Sequence, residues 1–260
     1  MISKTPAPTR PVVYVYPDVD TLSRAAAHAL VARVRAAVEA EGRCALALSG
    51  GTTPRTLYRL LASEFSTQLP WGQVDLFWGD ERYVPPDDPR SNSAVARETL
   101  LKHVPIPETN VHPMSTSAAD PEDAARAYDA LLAKRFPGAW PRFDVMLLGL
   151  AADGHLASLF PGSQALKITD RRVVAVRVPA DPPRRLTVTL PVINHAACLF
   201  FLVAGKGKAG AVHRALVGPC DPITCPAAGV QPVGGDVIWW VDEAAATFLG
   251  PAVRAPSPPS

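Results

Sequence analysis

Residues 143–163, FDVMLLGLAADGHLASLFPGS, carry the clearest signal for the fold of this chain. The first six form a nearly continuous apolar run, which is typical of a strand buried on both faces of a parallel sheet. Gly149 ends the run, and polar residues then arrive together as Asp153-Gly154-His155. In open α/β sheets, ligands collect outside the carboxyl ends of the strands. The stretch therefore predicts a parallel sheet with a site at the end of this strand.

Asp153 and His155 are candidates for acid–base chemistry. A neighbouring carboxylate can fix the tautomer and orientation of an imidazole, whose ordinary pKa suits proton transfer at neutral pH. The alternative is that Asp153-Gly154 is an ordinary turn and that His155 is a hydrogen-bonded loop residue. This stretch alone leaves both interpretations open.

Composition favours a globular chain and argues against a nucleic-acid surface. The 260 residues are 48% hydrophobic and 19% charged, and their number fits one large α/β domain or two small ones. The formal net charge is +2, and no Lys/Arg cluster resembles the basic stripe that nucleic-acid binding requires. This balance leaves room for a local cationic pocket.

The cysteines and the absence of long apolar runs predict a cytoplasmic protein that does not enter a membrane. The cysteines are Cys44, Cys198, Cys220 and Cys225. Only the isolated pair Cys220/Cys225 has close spacing, without a second pair or nearby histidines, so we expect reduced thiols rather than a metal site. Residues 1–10 lack the apolar core of a signal peptide, and nowhere do about 18 apolar residues run together.

Strand-like and helix-like segments alternate along the chain. The predicted strands are 12–16, 44–48, 74–78, 143–148, 173–178, 186–190, 198–204 and 237–240. The predicted helices run from Asp18 or Asp20 to about 41, from Thr53-Pro54 through 61, from Ser91 or Ser93 to about 101, from Asp120-Pro121 to near 136, through 213–217, and over 243–249. This alternation predicts a single domain, residues 1–250, with a doubly wound, largely parallel sheet. Residues 251–260 are rich in proline and predict a disordered tail.

Three further strand ends carry groups that can bind an anion or act on one. The strand at 44–48 runs into Ser49-Gly50-Gly51-Thr52, whose glycines and hydroxyls before a helix suit a phosphate, although a plain turn is equally open. The strand at 74–78 leads to Asp80-Glu81-Arg82, which is either part of a functional site or a solvated charge cluster. The proline-rich segment 83–90 that follows is expected to form a rim or lid. Lys206 and Lys208 follow the strand at 198–204, as a second anion contact or a solvated pair.

The segment after residue 204 also matches a dinucleotide fingerprint. Gly205, Gly207 and Gly210 satisfy GxGxxG between a strand and a helix. That motif should continue into a strand with an acid at its end, whereas residues 219–226 are broken by three prolines. Dinucleotide binding is therefore disfavoured.

The four loops together resemble the 6-phosphogluconolactonase family, whose pattern includes SGG[ST]TP, DER with a prolyl loop and SN, and GLGxDGHxASLFPG. The matching residues are Ser49-Gly50-Gly51-Thr52-Thr53-Pro54, Asp80-Glu81-Arg82 with Ser91-Asn92, residues 149–162, residues 185–191, Lys208-Ala209 and Pro226-Ala227-Ala228. Ala151 departs from the pattern, which usually has glycine there. The resemblance covers about residues 12–249.

The resemblance implies an enzyme that hydrolyses 6-phospho-D-glucono-1,5-lactone to 6-phosphogluconate, with the fold shared by sugar-phosphate isomerases. It implies neither a metal nor an organic cofactor. We expect the protein to be a monomer or a small homo-oligomer. By resemblance, His155 is the base that activates water, and either Asp153 or Asp80 holds its imidazole. Arg82 would face the lactone oxygens or the developing negative charge. The remaining expected substrate contacts are Ser49, Gly50, Gly51, Thr52 and Lys208 for the phosphate, Arg185 as a second cation, Asn92 for a hydroxyl, and Gly154 within the matched motif. No GxSxG elbow is present, so we expect no covalent acyl-enzyme.

Two other functions compete with lactone hydrolysis. Glucosamine-6-phosphate deaminases share the glycine loop, DE, DGH and the late lysine, but have tyrosine where this chain has Arg82. They also follow DGH with a segment of the AFNEP type, whereas this chain has ASLFPG at 157–162. A sugar-phosphate sensor without turnover is disfavoured, because the chain has no room for a helix-turn-helix segment and keeps Asp153 and His155.

Overall fold

Six strands form one parallel sheet in this computed structural model, which describes residues 10–219 and 221–256. Within these residues the strands are β1 (Val12–Tyr16), β2 (Cys44–Leu48), β3 (Val74–Trp78), β4 (Asp80–Arg82), β5 (Val145–Leu148), β6 (Val173–Arg177), β7 (Arg184–Val188), β8 (Cys198–Val203) and β9 (Asp236–Asp242). The α-helices are α1 (Val19–Glu41), α2 (Thr52–Ala62), α3 (Asn92–Thr99), α4 (Pro121–Arg135), α5 (Leu190–Asn194) and α6 (Ala209–Leu216). The parallel sheet has the spatial order β1-β9-β8-β5-β2-β3, which confirms the predicted α/β class.

The centre of the sheet is buried on both faces, as the unbroken apolar run at its middle predicts. Every residue of β3, β5 and β8 is buried. β5 lies between β2 and β8, with Leu46 opposite Val145 and Met146 opposite Leu199. The neighbours β8, β5, β2 and β3 are parallel, so their carboxyl ends share one edge. That edge is where the four loops singled out in the sequence emerge.

A second, smaller sheet differs from the prediction of one sheet. β4, β7 and β6 pair antiparallel in that order, so residues 80–82 form a strand rather than a loop. The cause is the connection between β6 and β7, residues 178–183, which is too short for the crossover that parallel strands need. The predicted strand at 186–190 accordingly lies two residues earlier, at Arg184–Val188.

Most helix starts agree with the capping residues in the sequence. Asp18 caps α1 in a capping box with Thr21, and Ser91 caps α3 by accepting from the amide of Ala94. α2 differs, because it starts at Thr52 rather than after Thr53, and no side chain caps it. Gly51 precedes it with φ +107°, a backbone conformation that favours glycine.

The carboxyl-terminal part also differs from expectation. Residues 243–248 form turns instead of the predicted helix. The described part of the tail packs against the domain rather than being disordered, because the amide of Ala255 donates to the carbonyl of Val13 and Pro251–Val253 form a 3₁₀ turn. Residues 257–260 and Cys220 lie outside the described residues. Across the described helices, none combines the length and apolarity that crossing a membrane requires.

Candidate active site

A cleft of about 270 Å³ opens where the loops after β2, β3, β5 and β8 meet. The predicted site residues that line it are Ser49, Gly50, Gly51, Asp80, Arg82, His155, Arg185 and Lys208. Its other lining residues are Gly149, Leu150, Ala151, Leu156 and Ala157. Larger clefts of about 440 and 580 Å³ lie elsewhere, but no histidine borders either of them. The small cleft is therefore the candidate site, because an imidazole, a glycine loop and several cations converge there among the residues that the structure describes.

Asp153 holds the ring of His155. The Nδ1 atom of His155 lies 2.8 Å from Oδ1 of Asp153, and the backbone amide of His155 donates to the same oxygen at 3.1 Å. A carboxylate accepts hydrogen bonds, so the neutral ring carries its proton on Nδ1 and has a free lone pair on Nε2. Of the two aspartates considered as partners of His155, Asp153 makes the contact.

The environment of His155 favours the neutral imidazole. Its ring stacks on Phe160, with ring centroids 3.8 Å apart and planes 20° apart, and the side chain is 23% exposed. Burial lowers the pKa of His155 below its ordinary value of 6.5, against the opposing pull of Asp153 and Asp80. The charge of Arg185 lowers this pKa as well. An imidazole that is neutral at pH 7 can accept a proton from water.

Three cations border the cleft. Arg82 lies opposite Arg185 in the register of β4 and β7, and Nη1 of Arg82 donates to the carbonyl of Arg90 at 2.6 Å. Nε of Arg185 donates to the carbonyl of Pro182 at 2.8 Å. Burial and the charge of Arg82 lower the pKa of Arg185, and burial also lowers the pKa of Lys208. Because like charges on paired strands repel, this arrangement suits an anion between them.

The glycine loop is held from below by Tyr58 of α2. The Tyr58 hydroxyl accepts from the amide of Ser49 and donates to its carbonyl, at 3.0 and 2.6 Å. Gly51 then leads into the uncapped start of α2, where backbone N–H groups are available to an anion. Thr52 is exposed at that start but does not line the cleft.

Asp80 is held by side chains other than His155. Its Oδ2 accepts from Oγ of Ser158 at 2.7 Å, and its Oδ1 accepts from Nδ2 of Asn92 at 3.0 Å. Asn92 is 2% exposed and lies directly against Gly50, where an added Cβ would be 1.9 Å from the Asn92 Oδ1 atom. Asn92 therefore packs behind the wall of the cleft and is not among the residues that line it.

Glu81 anchors the start of α3 beneath this wall. Its carboxylate accepts from the amides of Asn92 and Ser93 at 2.7 and 2.8 Å and from the Ser91 hydroxyl at 3.0 Å. Burial raises the pKa of Glu81, and the amide hydrogen bonds oppose that shift. Successive side chains of a strand point to opposite faces, so Asp80 and Arg82 line the cleft. Glu81, which lies between them, is buried and points away from the cleft.

Gly154 lies in a tight turn and does not line the cleft. Its φ is +96°, and an added Cβ would meet Sγ of Cys225 at 3.0 Å. The turn that carries Asp153 and His155 therefore packs tightly on Cys225 without presenting Gly154 to the cleft. Cys44, Cys198 and Cys225 are free and buried. Over the part of the chain that the structure describes, no group of three or more His, Cys, Asp or Glu could hold a metal ion.

Sequence reasoning missed Ser158 and Phe160, although both lie in the stretch quoted first. In the sequence they lie in an apolar segment. In the structure, the turn at residues 156–159 directs the Ser158 hydroxyl to Asp80. Ala157 in that turn has φ +48°, an uncommon conformation for a residue other than glycine. That positive φ could not be read from the sequence.

Comparison with known sequences gives a family match over most of the chain. The model of the family described as glucosamine-6-phosphate isomerases/6-phosphogluconolactonase matches residues 17–239. The chain belongs to this family. Among relatives in the family, the 6-phosphogluconolactonase of Mycobacterium tuberculosis is 45% identical over 245 residues, which cover 91% of this chain and 98% of the relative. The 6-phosphogluconolactonase of Synechocystis sp. is 45% identical over 222 residues, which cover 84% and 90%.

Solved structures of the family share the architecture. The 6-phosphogluconolactonase of Trypanosoma brucei superposes with a TM-score of 0.83 at 31% identity, covering 93% of this chain and 99% of that one. A monomeric glucosamine-6-phosphate deaminase superposes with a TM-score of 0.77 at 24% identity, covering 91% and 99%, a likeness of fold alone.

Proposed function

We propose that this protein hydrolyses 6-phospho-D-glucono-1,5-lactone to 6-phosphogluconate. One observation carries the proposal: a neutral imidazole, a glycine loop before a helix and three cations border the same cleft. A lactone is an activated ester, so its hydrolysis needs a base for water and stabilisation of the developing oxyanion. The 45% identity to two 6-phosphogluconolactonases supports the same activity.

In the proposed reaction, Nε2 of His155 takes a proton from a water molecule as its oxygen attacks the lactone carbonyl. The charge of Asp153 stabilises the imidazolium that forms, and Arg82 and Arg185 stabilise the oxyanion. The ring C–O bond then breaks, and the imidazolium returns the proton to the departing ring oxygen. The immediate product is the open-chain carboxylic acid, which releases its proton to solvent to give the carboxylate. No covalent intermediate with the protein is formed.

The phosphate of the substrate is proposed to bind the hydroxyl of Ser49 and the amides of Gly50 and Gly51, beside the uncapped start of α2. The ammonium group of Lys208 supplies the balancing charge. The enzyme is proposed to act in the cytoplasm, as a monomer or small homo-oligomer, without a metal or organic cofactor and without nucleic acid as a partner.

The direct test compares freshly prepared 6-phosphogluconolactone, unphosphorylated gluconolactone and glucosamine 6-phosphate as substrates. We expect turnover of the first, a much lower kcat/KM for the second and no deamination of the third. Preferred turnover of glucosamine 6-phosphate would replace the proposal with the deaminase activity that also occurs in the family. A lactone rate equal to the spontaneous rate would refute hydrolysis.

The pH dependence of kcat/KM should report the state of His155. Since only the neutral imidazole accepts a proton, activity falls as the pH decreases through its pKa, which burial places below 6.5. We expect the midpoint of the acid limb below pH 6.5 after subtraction of spontaneous hydrolysis. Asp153→Asn removes the charge that raises this pKa, so the midpoint should move to still lower pH while the rate decreases. A midpoint that moves upward in this variant would contradict the assignment.

Lys208→Met should raise KM by about 10- to 100-fold and lower kcat much less, because a charge-assisted contact to phosphate is lost from ground and transition states alike. Lys206→Met is the matched control, since Lys206 is exposed two residues away and does not line the cleft. Steady-state kinetics of both variants with the phosphorylated lactone provide the measurement. Equal KM values for the two variants would remove Lys208 from phosphate binding.

A further inference from the structure

We propose that Phe160 is a positioning residue that acts through His155, by fixing the plane of the imidazole so that Nε2 points at the attacking water. The inference rests on the proposed function, in which His155 is the base. Phe160 is 5% exposed and belongs to the same matched motif as His155, but no role was predicted for it from the sequence. Its contact with the imidazole is nearly parallel, with centroids 3.8 Å and planes 20° apart.

Asp153 alone does not fix the tilt of the imidazole ring. The hydrogen bond from Nδ1 to Asp153 fixes one ring atom at 2.8 Å, but the ring can still tilt about that contact. A flat partner against one face restricts this tilt, because tilting separates the two rings or drives them into each other. Asp153 and Phe160 together therefore fix both the tautomer and the direction of the lone pair on Nε2.

The same contact keeps water from one face of the ring. The charged and titratable groups around His155 are Asp153 on its own loop, Asp80 and Arg82 on β4, Arg185 on β7 and Lys208 before α6. Asp153 and Asp80 favour the imidazolium, whereas the cation Arg185 and burial disfavour it. Removing the aromatic wall reduces burial and leaves these charges in place, so the pKa of His155 should rise.

The test uses Phe160→Leu, which keeps an apolar side chain but removes the flat face. We expect kcat for the lactone to fall about tenfold or more with little change in KM. A misoriented catalytic group slows the chemical step and leaves substrate affinity nearly unchanged. Phe160→Tyr keeps the ring and is expected to retain kcat within about threefold of the wild-type value. Phe160 also borders an open cleft of about 450 Å³.

Phe143→Leu is the matched control for loss of a buried phenylalanine. Phe143 is fully buried and packs on Phe77 and Phe136, without contact with His155. Thermal unfolding of each variant separates loss of stability from loss of rate. Should Phe160→Leu fail to fold, Phe160→Met provides a flexible side chain of similar volume without a ring.

Proton NMR titration of His155 provides a readout independent of turnover, with its signal assigned by its absence in His155→Gln. The midpoint is expected to rise in Phe160→Leu and to remain unchanged in Phe143→Leu. An unchanged midpoint together with a kcat like that of Phe143→Leu would overturn the role of Phe160. A wild-type protein without lactonase activity would instead overturn the proposed function, so the two failures are distinguishable.

Discussion

Replacing His155 by alanine is expected to lower kcat for 6-phosphogluconolactone by at least about a hundredfold, the smaller end of what a positioned general base contributes. The expectation depends on the unprotonated Nε2, since Nδ1 is already engaged by Asp153 at 2.8 Å. KM should change little, because the phosphate contacts proposed for the glycine loop and Lys208 remain. Initial rates corrected for spontaneous hydrolysis give the measurement.

His103→Gln is the control for this variant. His103 is exposed, and its Nε2 contacts only the carbonyl of Glu98 near the end of α3, remote from the cleft lining. Its kcat should equal the wild-type value within error. A His155→Ala enzyme with near-normal kcat would show that water is activated by another group, and Asp80 would then be the carboxylate to test.

Gly50→Ala should reduce both the stability and the activity. The new methyl group would lie 1.9 Å from Oδ1 and 2.5 Å from Cγ of Asn92. Asn92 cannot swing aside cheaply, because its Nδ2 donates to the carbonyl and the carboxylate of Asp80 at 2.9 and 3.0 Å. We expect the free energy of unfolding to decrease by about 1–3 kcal/mol, the usual cost of overpacking. Displacement of the glycine loop, which is proposed to bind the phosphate, should also lower kcat/KM by about a hundredfold.

Gly72→Ala and a double variant complete this experiment. An added Cβ at Gly72 meets nothing within 4 Å, so Gly72→Ala should retain stability and activity. Gly50→Ala combined with Asn92→Ala removes the clash. The free energy of unfolding of this double variant should be higher than the value obtained by adding the effects of the two single changes. Strictly additive effects would show that the two residues do not compete for the same volume.

The parallel sheet could be predicted because its strands are marked by composition alone. Residues 145–148 and 198–203 are apolar throughout, which is typical of strands buried on both faces of a parallel sheet. The small antiparallel sheet was missed, although the six-residue connection at 178–183 already excluded a parallel crossover between its flanking strands. The helix predicted at 243–249 is replaced by turns over 243–248, where the carboxylate of Asp242 accepts from the amide of Ala245 at 2.7 Å.

The candidate site was predicted at the level of loops and less well at the level of side chains. His155, Lys208 and Arg82 border the cleft because they follow strand ends, which the order of elements fixes. The inward turn of Asn92 depends on the missing side chain of Gly50, some forty residues earlier in the chain. Such pairings between distant residues have no signature in local periodicity, and the stacking of Phe160 belongs to the same class.

The division of the cleft between two sheets has an evolutionary consequence. Asp80, Arg82 and Arg185 come from the antiparallel sheet, whereas the glycine loop and His155 come from the parallel one. The two sheets are joined through Gly79, whose amide donates to Leu48 and whose carbonyl accepts from Val188. Under the proposed function, mutations in the small sheet would change the groups placed beside the sugar ring and leave those proposed for the phosphate unchanged. Descendants of such a scaffold could then differ in the chemistry at the ring and keep the same preference for phosphorylated sugars.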